Sequence, residues 1–451
     1  MSRFLKRSQW LPRPRSEVFA FFQEPGNLAR LTPPWLGFQV LTPQPLVMRT
    51  GARFDYEVRP LGFAQRWTTL IESYDPPHGF VDTQLKGPYA SWRHRHSFTE
   101  EDGGTRVTDE IEYALPLEPL GLVALPEVRR RLDEIFAYRE AAVAALFKPQ
   151  GGSMKVVLAG GSGFIGRHLS RALVLAGHSV VLLTRGTKNS DLPGVTTRRW
   201  LAPGAEGWES VVDGADAVVN LCGEGVADRP WTAARRKALV DSRLGPTAAL
   251  VAAIGRAKKK PSVLINASAV GYYPQNAGRV LAETDPAGSG FLADLCARWE
   301  KEARAAESHG ARVVLLRIGV VLGPGGGALG RMLLPFKLGL GGRLGDGTQW
   351  FPWVHLEDVT GMVLAALGDE RWRGPVNAVA PQAATNADFT AALGRALGRP
   401  TVLPVPGFAL RLALGEMSDL LLGSQKIAPA AAAGRGYAFR KPTLDEALAG
   451  L

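Results

Sequence analysis

The chain has 451 residues, too many for one ordinary core, so two or more domains are expected. With 46% hydrophobic and 21% charged residues it has the composition of a soluble globular protein, and no uninterrupted apolar run reaches membrane-spanning length. The stretch Met1 to Gln9 lacks the apolar core of a signal peptide, and two cysteines, Cys222 and Cys296, cannot build a secreted disulfide framework; both features point to a reducing cytoplasm. The net charge of +11 is uneven: residues 1–150 hold 19 Lys and Arg against 18 Asp and Glu, leaving 34 against 24 for the rest. The basic clusters Arg235-Arg236-Lys237 and Lys258-Lys259-Lys260 are not interleaved with aromatics and read as solvated helix faces. An anionic dinucleotide therefore explains the charge better than nucleic acid does.

The first 150 residues are expected to be rich in β-structure. Arg15 to Phe22 has the pattern of a short helix, and period-two alternation marks strands around Phe54 to Arg59, Gln65 to Ser73, Ala90 to Phe98 and Thr105 to Tyr113. An amphipathic helix over Pro126 to Phe147 closes this segment. A sheet followed by a long final helix, with Trp92-Arg93-His94-Arg95-His96-Ser97-Phe98 and Thr105-Arg106-Val107-Thr108-Asp109-Glu110 as its strands, resembles the START-like superfamily (SRPBCC, polyketide cyclase-like). That resemblance implies an α+β helix-grip domain around an apolar cavity, with an apolar small molecule as its ligand. Trp35, Phe54, Trp67, Tyr89 and Trp92 are the candidate lining. His94 and His96 share a strand face, but two imidazoles without a nearby acid or thiol make no metal site, and no metal is expected there.

Lys148 to Ser153 reads as a short flexible linker, and after Met154 strands alternate with helices. Strands at Lys155 to Ala159, Ser179 to Thr184, Ala217 to Leu221, Val263 to Ala267 and Arg312 to Ile318 enclose helices at Arg167 to Ala176, Ala233 to Arg256 and Gly290 to Ser308. That order predicts a Rossmann-type, doubly wound parallel α/β sheet with its ligand at the strand C-termini. Directly after the first strand comes Gly160-Gly161-Ser162-Gly163-Phe164-Ile165-Gly166. Gly160 and Gly163 let the backbone turn tightly against a pyrophosphate, and Gly166 lets the following helix pack close to the strand with its N-terminus aimed at the phosphates. Phe164 and Ile165, in the same turn, are included in the expected cofactor site. The second strand ends at Arg185, where an acid would bind the 2′-hydroxyl of NAD and an arginine pairs with a 2′-phosphate. NADP(H) is therefore the expected cofactor, with Lys188 placed to share the phosphate.

Four further stretches fall in the order found in extended short-chain dehydrogenases/reductases. Asp216 to Gly223, Asn266-Ala267-Ser268-Ala269-Val270-Gly271-Tyr272, Arg317 to Pro324 and Val354-His355-Leu356-Glu357-Asp358-Val359 resemble the markers of that class. Gly271-Tyr272-Tyr273, Phe291 to Glu300 and Leu338 to Gly342 narrow the resemblance to its atypical "epimerase family protein" branch, and Asn386-Ala387-Asp388-Phe389 with Leu403-Pro404-Val405-Pro406 mark that branch's C-terminal module. The resemblance implies three domains: 1–150, START-like; 154–380, NADP-binding; and 381–451, accessory. It also implies that Leu221, Cys222 and Gly223 run beside the adenosine and ribose, that Ser268 polarises the substrate, and that Ser268 and Arg317 border the cofactor. Standard members carry a Tyr-x-x-x-Lys pair in which the Lys lowers the phenol pKa. Aligning on Glu300 puts Leu292 and Cys296 in those two slots. The candidate replacements are Ser268, a phenol from Tyr272 or Tyr273, and Cys296 as an activated thiol. Two activities stay open: an oxidoreductase or epimerase with an unconventional proton donor, and an NADPH-bound sensor or regulator without turnover, in cell division for example.

Overall fold

The structure, a computed structural model, describes residues 2–11, 13–43, 45–59, 63–101, 104–116, 124–147, 153–186, 195–200, 207–275 and 278–451. Most of the Lys148 to Ser153 linker and Lys188 lie outside these residues. The chain divides into two compact units whose boundary falls between Gly152 and Ser153.

The first unit runs through β1 (Arg3–Leu11), α1 (Arg15–Phe22), α2 (Leu28–Leu31), β2 (Gln39–Val40), β3 (Arg53–Val58), β4 (Gln65–Asp75), β5 (Gly79–Lys86), β6 (Ser91–Glu101), β7 (Gly104–Ala114) and α3 (Leu125–Leu146). Its strands form one antiparallel sheet in the order β1-β7-β6-β5-β4-β3-β2. Alternation decides which side chains meet the helix: on β6, Trp92, His94, His96 and Phe98 are buried while Arg95 is exposed. Helix α3 starts with Pro126 in its first turn, where a missing N–H costs nothing, and buries Leu132, Phe136, Ala142 and Val143. Leu132 and Phe136 pack with Trp92, Ile111 and Tyr113, and Val143 packs with Phe19, Phe98 and Val107. This is the helix-grip architecture. Strands β1, β2 and β5 fall outside the pattern read from the sequence, because β1 alternates in a run of Arg, Lys, Ser and Gln where hydrophobicity carries little signal.

The second unit contains β8 (Lys155–Ala159), α4 (Phe164–Leu175), β9 (Ser179–Thr184), β10 (Val195–Arg199), β11 (Ala217–Asn220), α5 (Ala233–Arg256), β12 (Val263–Ala269), α6 (Phe291–Arg304), β13 (Arg312–Ile318), β14 (Val320–Leu322), α7 (Gly327–Lys337), β15 (Trp353–His355), α8 (Leu356–Gly368), β16 (Gly374–Ala378) and α9 (Asn386–Leu397). Four short helices follow: α10 (Gly407–Leu414), α11 (Asp419–Leu422), α12 (Ala430–Gly434) and α13 (Leu444–Leu448). Seven strands form a parallel sheet in the order β10-β9-β8-β11-β12-β13-β16, with the change of direction between β8 and β11. Both faces are apolar: Val156, Leu158, Val219 and Ile265 pack on one side and Val157, Ala159, Val218 and Leu264 on the other. The C-terminal segment joins this same core through Ala432, Tyr437 and Phe439. Asp358 of α8, fully buried, accepts hydrogen bonds from Tyr437 Oη at 3.2 Å, Arg440 N at 2.7 Å and Lys441 N at 3.1 Å, so one carboxylate pins that segment. Among the described residues, no helix is long and apolar enough to cross a membrane.

His355 caps α8: its Nδ1 accepts from Glu357 N at 3.3 Å, which requires that nitrogen to carry no proton. Burial, and next the Lys441 charge, push its pKa from 6.5 down to about 4. A lowered imidazole pKa contributes stability that is complete above about pH 6.5 and fades toward pH 4, because the unfolded chain takes up the proton first. This unit is expected to lose on the order of 3 kcal/mol over that window. In His355→Asn, which keeps a capping side chain, that acid limb should flatten; identical pH–stability profiles by hydrogen exchange would refute the assignment.

Candidate functional site

The site is built at the carboxyl ends of β8, β9, β11, β12, β13 and β16. At its nucleotide end, Gly160 leaves β8 with φ +78°, and a Cβ there would fall 2.6 Å from the carbonyl carbon of Leu221. A Cβ on Gly166 would lie 2.4 Å from Gly161 Cα, so only glycine lets α4 start this close to β8. Gly163 N donates to Gly160 O at 3.1 Å and closes the turn. This cradle, which any side chain would fill, fits a pyrophosphate at the N-terminus of α4. Ile165 packs into the apolar core beneath the turn. The Phe164 ring lies against the glycine stretch 323–327, and a Cβ on Gly326 would meet it at 2.8 Å.

Arg185 follows β9 and is exposed. Across from it, Cys222 continues β11, and burial raises its thiol pKa to about 12 although the Arg185 charge works the other way. The loop after Cys222 is held by α5. Arg243 Nη2 donates to Glu224 O at 3.0 Å and its guanidinium lies 5.2 Å over Trp299, while a Cβ on Gly223 would come within 3.0 Å of Arg243 Cζ. Arg235 pairs with Glu224 and donates to Gly225 O at 2.7 Å, and Arg236 covers the Phe291 ring. The cluster read as a solvated face is therefore partly an internal clamp, with only Lys237 of the three well exposed.

At the chemical end, strand register sets the geometry. Ser268 pairs with Arg317, and Arg317 pairs with Asn377, so three polar side chains stand level on β12, β13 and β16. Arg317 and Glu300 of α6 form a bidentate pair, with Nε–Oε1 and Nη2–Oε2 both at 2.8 Å and side chains 3% and 6% exposed. Ser268 Oγ donates to Glu300 Oε1 at 2.7 Å. Tyr273 Oη donates to Asn377 Oδ1 at 2.7 Å and accepts from Arg317 Nη1 at 2.9 Å. Burial, opposed by Arg317, raises the Tyr273 phenol to about 12. Buried Glu283 completes the cluster by accepting from Asn377 N at 2.9 Å and Ala431 N at 3.0 Å. Tyr272 is only half-buried, and its ring stacks 3.5 Å from the Arg317 guanidinium carbon. Its hydroxyl forms no hydrogen bond among the described residues.

Helix α6 runs past β12 with one residue per turn facing it. Glu300 meets Ser268, Cys296 hydrogen-bonds to the Ala269 backbone, and Leu292 lies under Gly271, whose Cβ would approach it to 3.3 Å. Cys296 is 4% exposed, and burial followed by the Glu300 charge raises its thiol to about 12, the reverse of activation. Ser268, Tyr272, Tyr273 and Arg317 are thus brought together, with Cys296 one helical turn from Glu300 and behind the strand end.

The first unit has its own polar cluster. An apolar cavity of about 220 Å³ is lined by Phe54, Trp67, Tyr89 and Trp92, whereas Trp35 is 39% exposed and meets Tyr138 edge to face instead. His94 and His96 face it and are not without acids: β5 sets Asp82 opposite His94, and β7 sets Asp109 opposite His96. Contrary to the expectation that no acid lies near them, the two histidines have two aspartates beside them, and Asp82 groups with both as potential metal ligands. Burial and the neighbouring His96 push the His94 pKa down to about 4. Burial works against His96 as well, but the Asp109 and Asp82 hydrogen bonds raise it above its usual value.

The parallel strand order and the glycine cradle at its point of reversal define a dinucleotide-binding Rossmann unit. The NAD dependent epimerase/dehydratase family matches residues 156–377. The polyketide cyclase/dehydrase and lipid transport family matches residues 11–137, and a domain of unknown function, DUF1731, matches residues 405–451. An epimerase family protein of Mycobacterium bovis is 45% identical over 296 residues, 65% of this chain and 96% of that protein. The human epimerase family protein SDR39U1, crystallised with NADPH, is 37% identical with a TM-score of 0.59, over 65% of this chain and 98% of that one. A nucleoside-diphosphate sugar epimerase from Corynebacterium glutamicum, 29% identical with a TM-score of 0.71, covers 98% of this chain and 89% of its own. The chain belongs to the NAD-dependent epimerase/dehydratase family, in the branch of epimerase family proteins.

Proposed function

We propose that this chain is an NADPH-dependent oxidoreductase or epimerase of the short-chain dehydrogenase/reductase superfamily, acting on a small molecule through a site without a Tyr-Lys couple. The observation that carries the reading is the glycine cradle at the sheet's reversal, with exposed Arg185 where a 2′-phosphate would lie. Hydride transfer is the chemistry such a cofactor supplies. The chain's own contribution is Tyr272, stacked on Arg317 and with no hydrogen-bond partner for its hydroxyl among the described residues, as proton donor or acceptor. Ser268, tied to Glu300, can accept a hydrogen bond from a substrate hydroxyl. A second reading, an NADPH-bound sensor or regulator, is favoured by one feature: Leu292 and Cys296 fill the α6 face that carries catalysis in standard members. The first unit, on this proposal, holds an apolar or aromatic molecule in its cavity of about 220 Å³. Two free cysteines fit a cytoplasmic location.

Calorimetry with NADPH and NADH tests the nucleotide assignment. A charge-assisted hydrogen-bonded pair contributes about 1.5–3 kcal/mol, so Arg185→Ala should weaken NADPH binding roughly ten- to hundredfold and NADH little. Equal losses for both cofactors would contradict the role of Arg185.

A further inference from the structure

We propose that Asp82, His94 and His96 of the first unit form a three-ligand site for a divalent transition-metal ion, zinc by its donor chemistry, with a fourth position open to the apolar cavity. Antiparallel pairing puts Asp82 of β5 directly opposite His94 of β6, and His96 two residues further along the same face. Asp82 Oδ2 lies 3.0 Å from His96 Nε2 and 3.8 Å from His94 Nδ1, and the three potential ligand atoms fall within 4.8 Å of one another. Tetrahedral bonds of about 2.0–2.1 Å separate neighbouring ligand atoms by about 3.3–3.5 Å, between those two distances. Small rotations of three side chains therefore converge them on one centre.

The other ring nitrogens supply an independent argument. His94 Nε2 and His96 Nδ1 both meet a single carboxylate oxygen, Asp109 Oδ1, at 2.9 and 2.8 Å. A ligating imidazole characteristically gives its remaining N–H to a carboxylate, which fixes both its tautomer and its orientation. Here Asp109 does this for His94, and the same oxygen lies 2.8 Å from His96 Nδ1, the atom that Arg139 also approaches. Arg139 of α3 lies 3.6 Å from Asp109 Oδ1 and 3.3 Å from His96 Nδ1, and its charge offsets that of the orienting carboxylate. His94 and His96 are 5% and 4% exposed and the Asp82 side chain 17%, so the donor set is largely shielded from water. Three protein ligands and an adjoining cavity are the pattern of a site that takes a water or an exogenous oxygen as its fourth ligand. Arg139 lines the same cavity, and its buried Nε has no hydrogen-bond partner among the described residues. An acidic oxygen of a cavity ligand would satisfy both the metal and Arg139.

The test uses the untagged 451-residue chain, stripped with a chelator and titrated with Zn²⁺ by calorimetry and with Co²⁺ by visible absorption. The expected result is one Zn²⁺ per chain and the intense d–d bands of four-coordinate Co²⁺. Asp82→Ala and His96→Gln should each abolish stoichiometric binding, and Asp109→Asn should weaken it about ten- to hundredfold while keeping the Co²⁺ spectrum. Cys222→Ser with Cys296→Ser should change nothing, since neither thiol belongs to the site. The wild-type Co²⁺ spectrum needs no variant, so a misfolded mutant does not blunt the test. Absence of stoichiometric zinc in the wild type, a six-coordinate Co²⁺ spectrum, or binding that survives all of the ligand substitutions would overturn the proposal and leave the cluster as a hydrogen-bonded brace across β5, β6 and β7.

Discussion

Glu300→Ala leaves the Arg317 guanidinium as an unpaired cation in the interior of the second unit, and a loss of about 3–5 kcal/mol in that unit's stability is the expected result. The cost is large because the partner cannot be replaced by water: the two side chains are only 3% and 6% exposed, and both guanidinium–carboxylate contacts are 2.8 Å. Burial alone would lower the Arg317 pKa, and the pairing with Glu300 reverses this and raises it. The same carboxylate holds the Ser268 hydroxyl, so its removal also frees a polar side chain that is 3% exposed. Hydrogen exchange of peptides from β12 and β13, read by mass spectrometry in the full chain, isolates this unit from the first. The double variant Glu300→Leu, Arg317→Met should lose less than the sum of its single changes, because it leaves no orphaned charge. A Glu300→Ala protein within about 1 kcal/mol of the wild type would show that the pair is screened by solvent and carries no such energy.

How far the sequence reveals this arrangement depends on the range of each interaction. The parallel sheet is legible because strands buried on both faces read as continuous apolar runs, and its turn is written in glycines whose necessity the contacts of Gly160 and Gly166 bear out. Helix α4 starts at Phe164 rather than Arg167, since its first turn is hidden in the glycine loop. Strand β16 carries Asn377, yet Gly374 and Pro375 at its start disguise it as a loop, and with it goes the partner of Tyr273. Glu300 is visible as a helix residue, but its bond to Ser268 spans 32 positions and leaves no spacing to detect. Tyr272 and Tyr273 are adjacent and chemically identical in the sequence. Only the 3-10 turn that carries Tyr272, with Tyr273 directly after it, turns one phenol inward to Asn377 and leaves the other half-buried over Arg317. In the first unit, the pairing of Asp82 and Asp109 with two histidines is a matter of hairpin register, which alternation alone does not specify.

That division between two neighbouring tyrosines leads to the sharpest functional expectation. Tyr272→Phe should lower turnover by about 10²–10⁴, the usual cost of removing a positioned proton donor, while leaving NADPH affinity within roughly twofold. Tyr273→Phe should behave oppositely. Its hydroxyl joins Arg317 to Asn377 in the interior and its phenol is pushed up to about 12, so its loss should lower stability by about 1–3 kcal/mol with a smaller effect on rate. Ser268→Ala removes a hydrogen-bond acceptor from the strand end and should fall between the two. The measurement is NADPH oxidation against a panel of carbonyl compounds, together with molecules that copurify with the chain, each variant being checked for NADPH binding and thermal stability. Full turnover in Tyr272→Phe would remove that residue from the chemistry. A wild-type chain that binds NADPH tightly but oxidises it with none of these compounds would favour the regulatory reading, in which Leu292 and Cys296 mark a nucleotide site that has given up its proton relay.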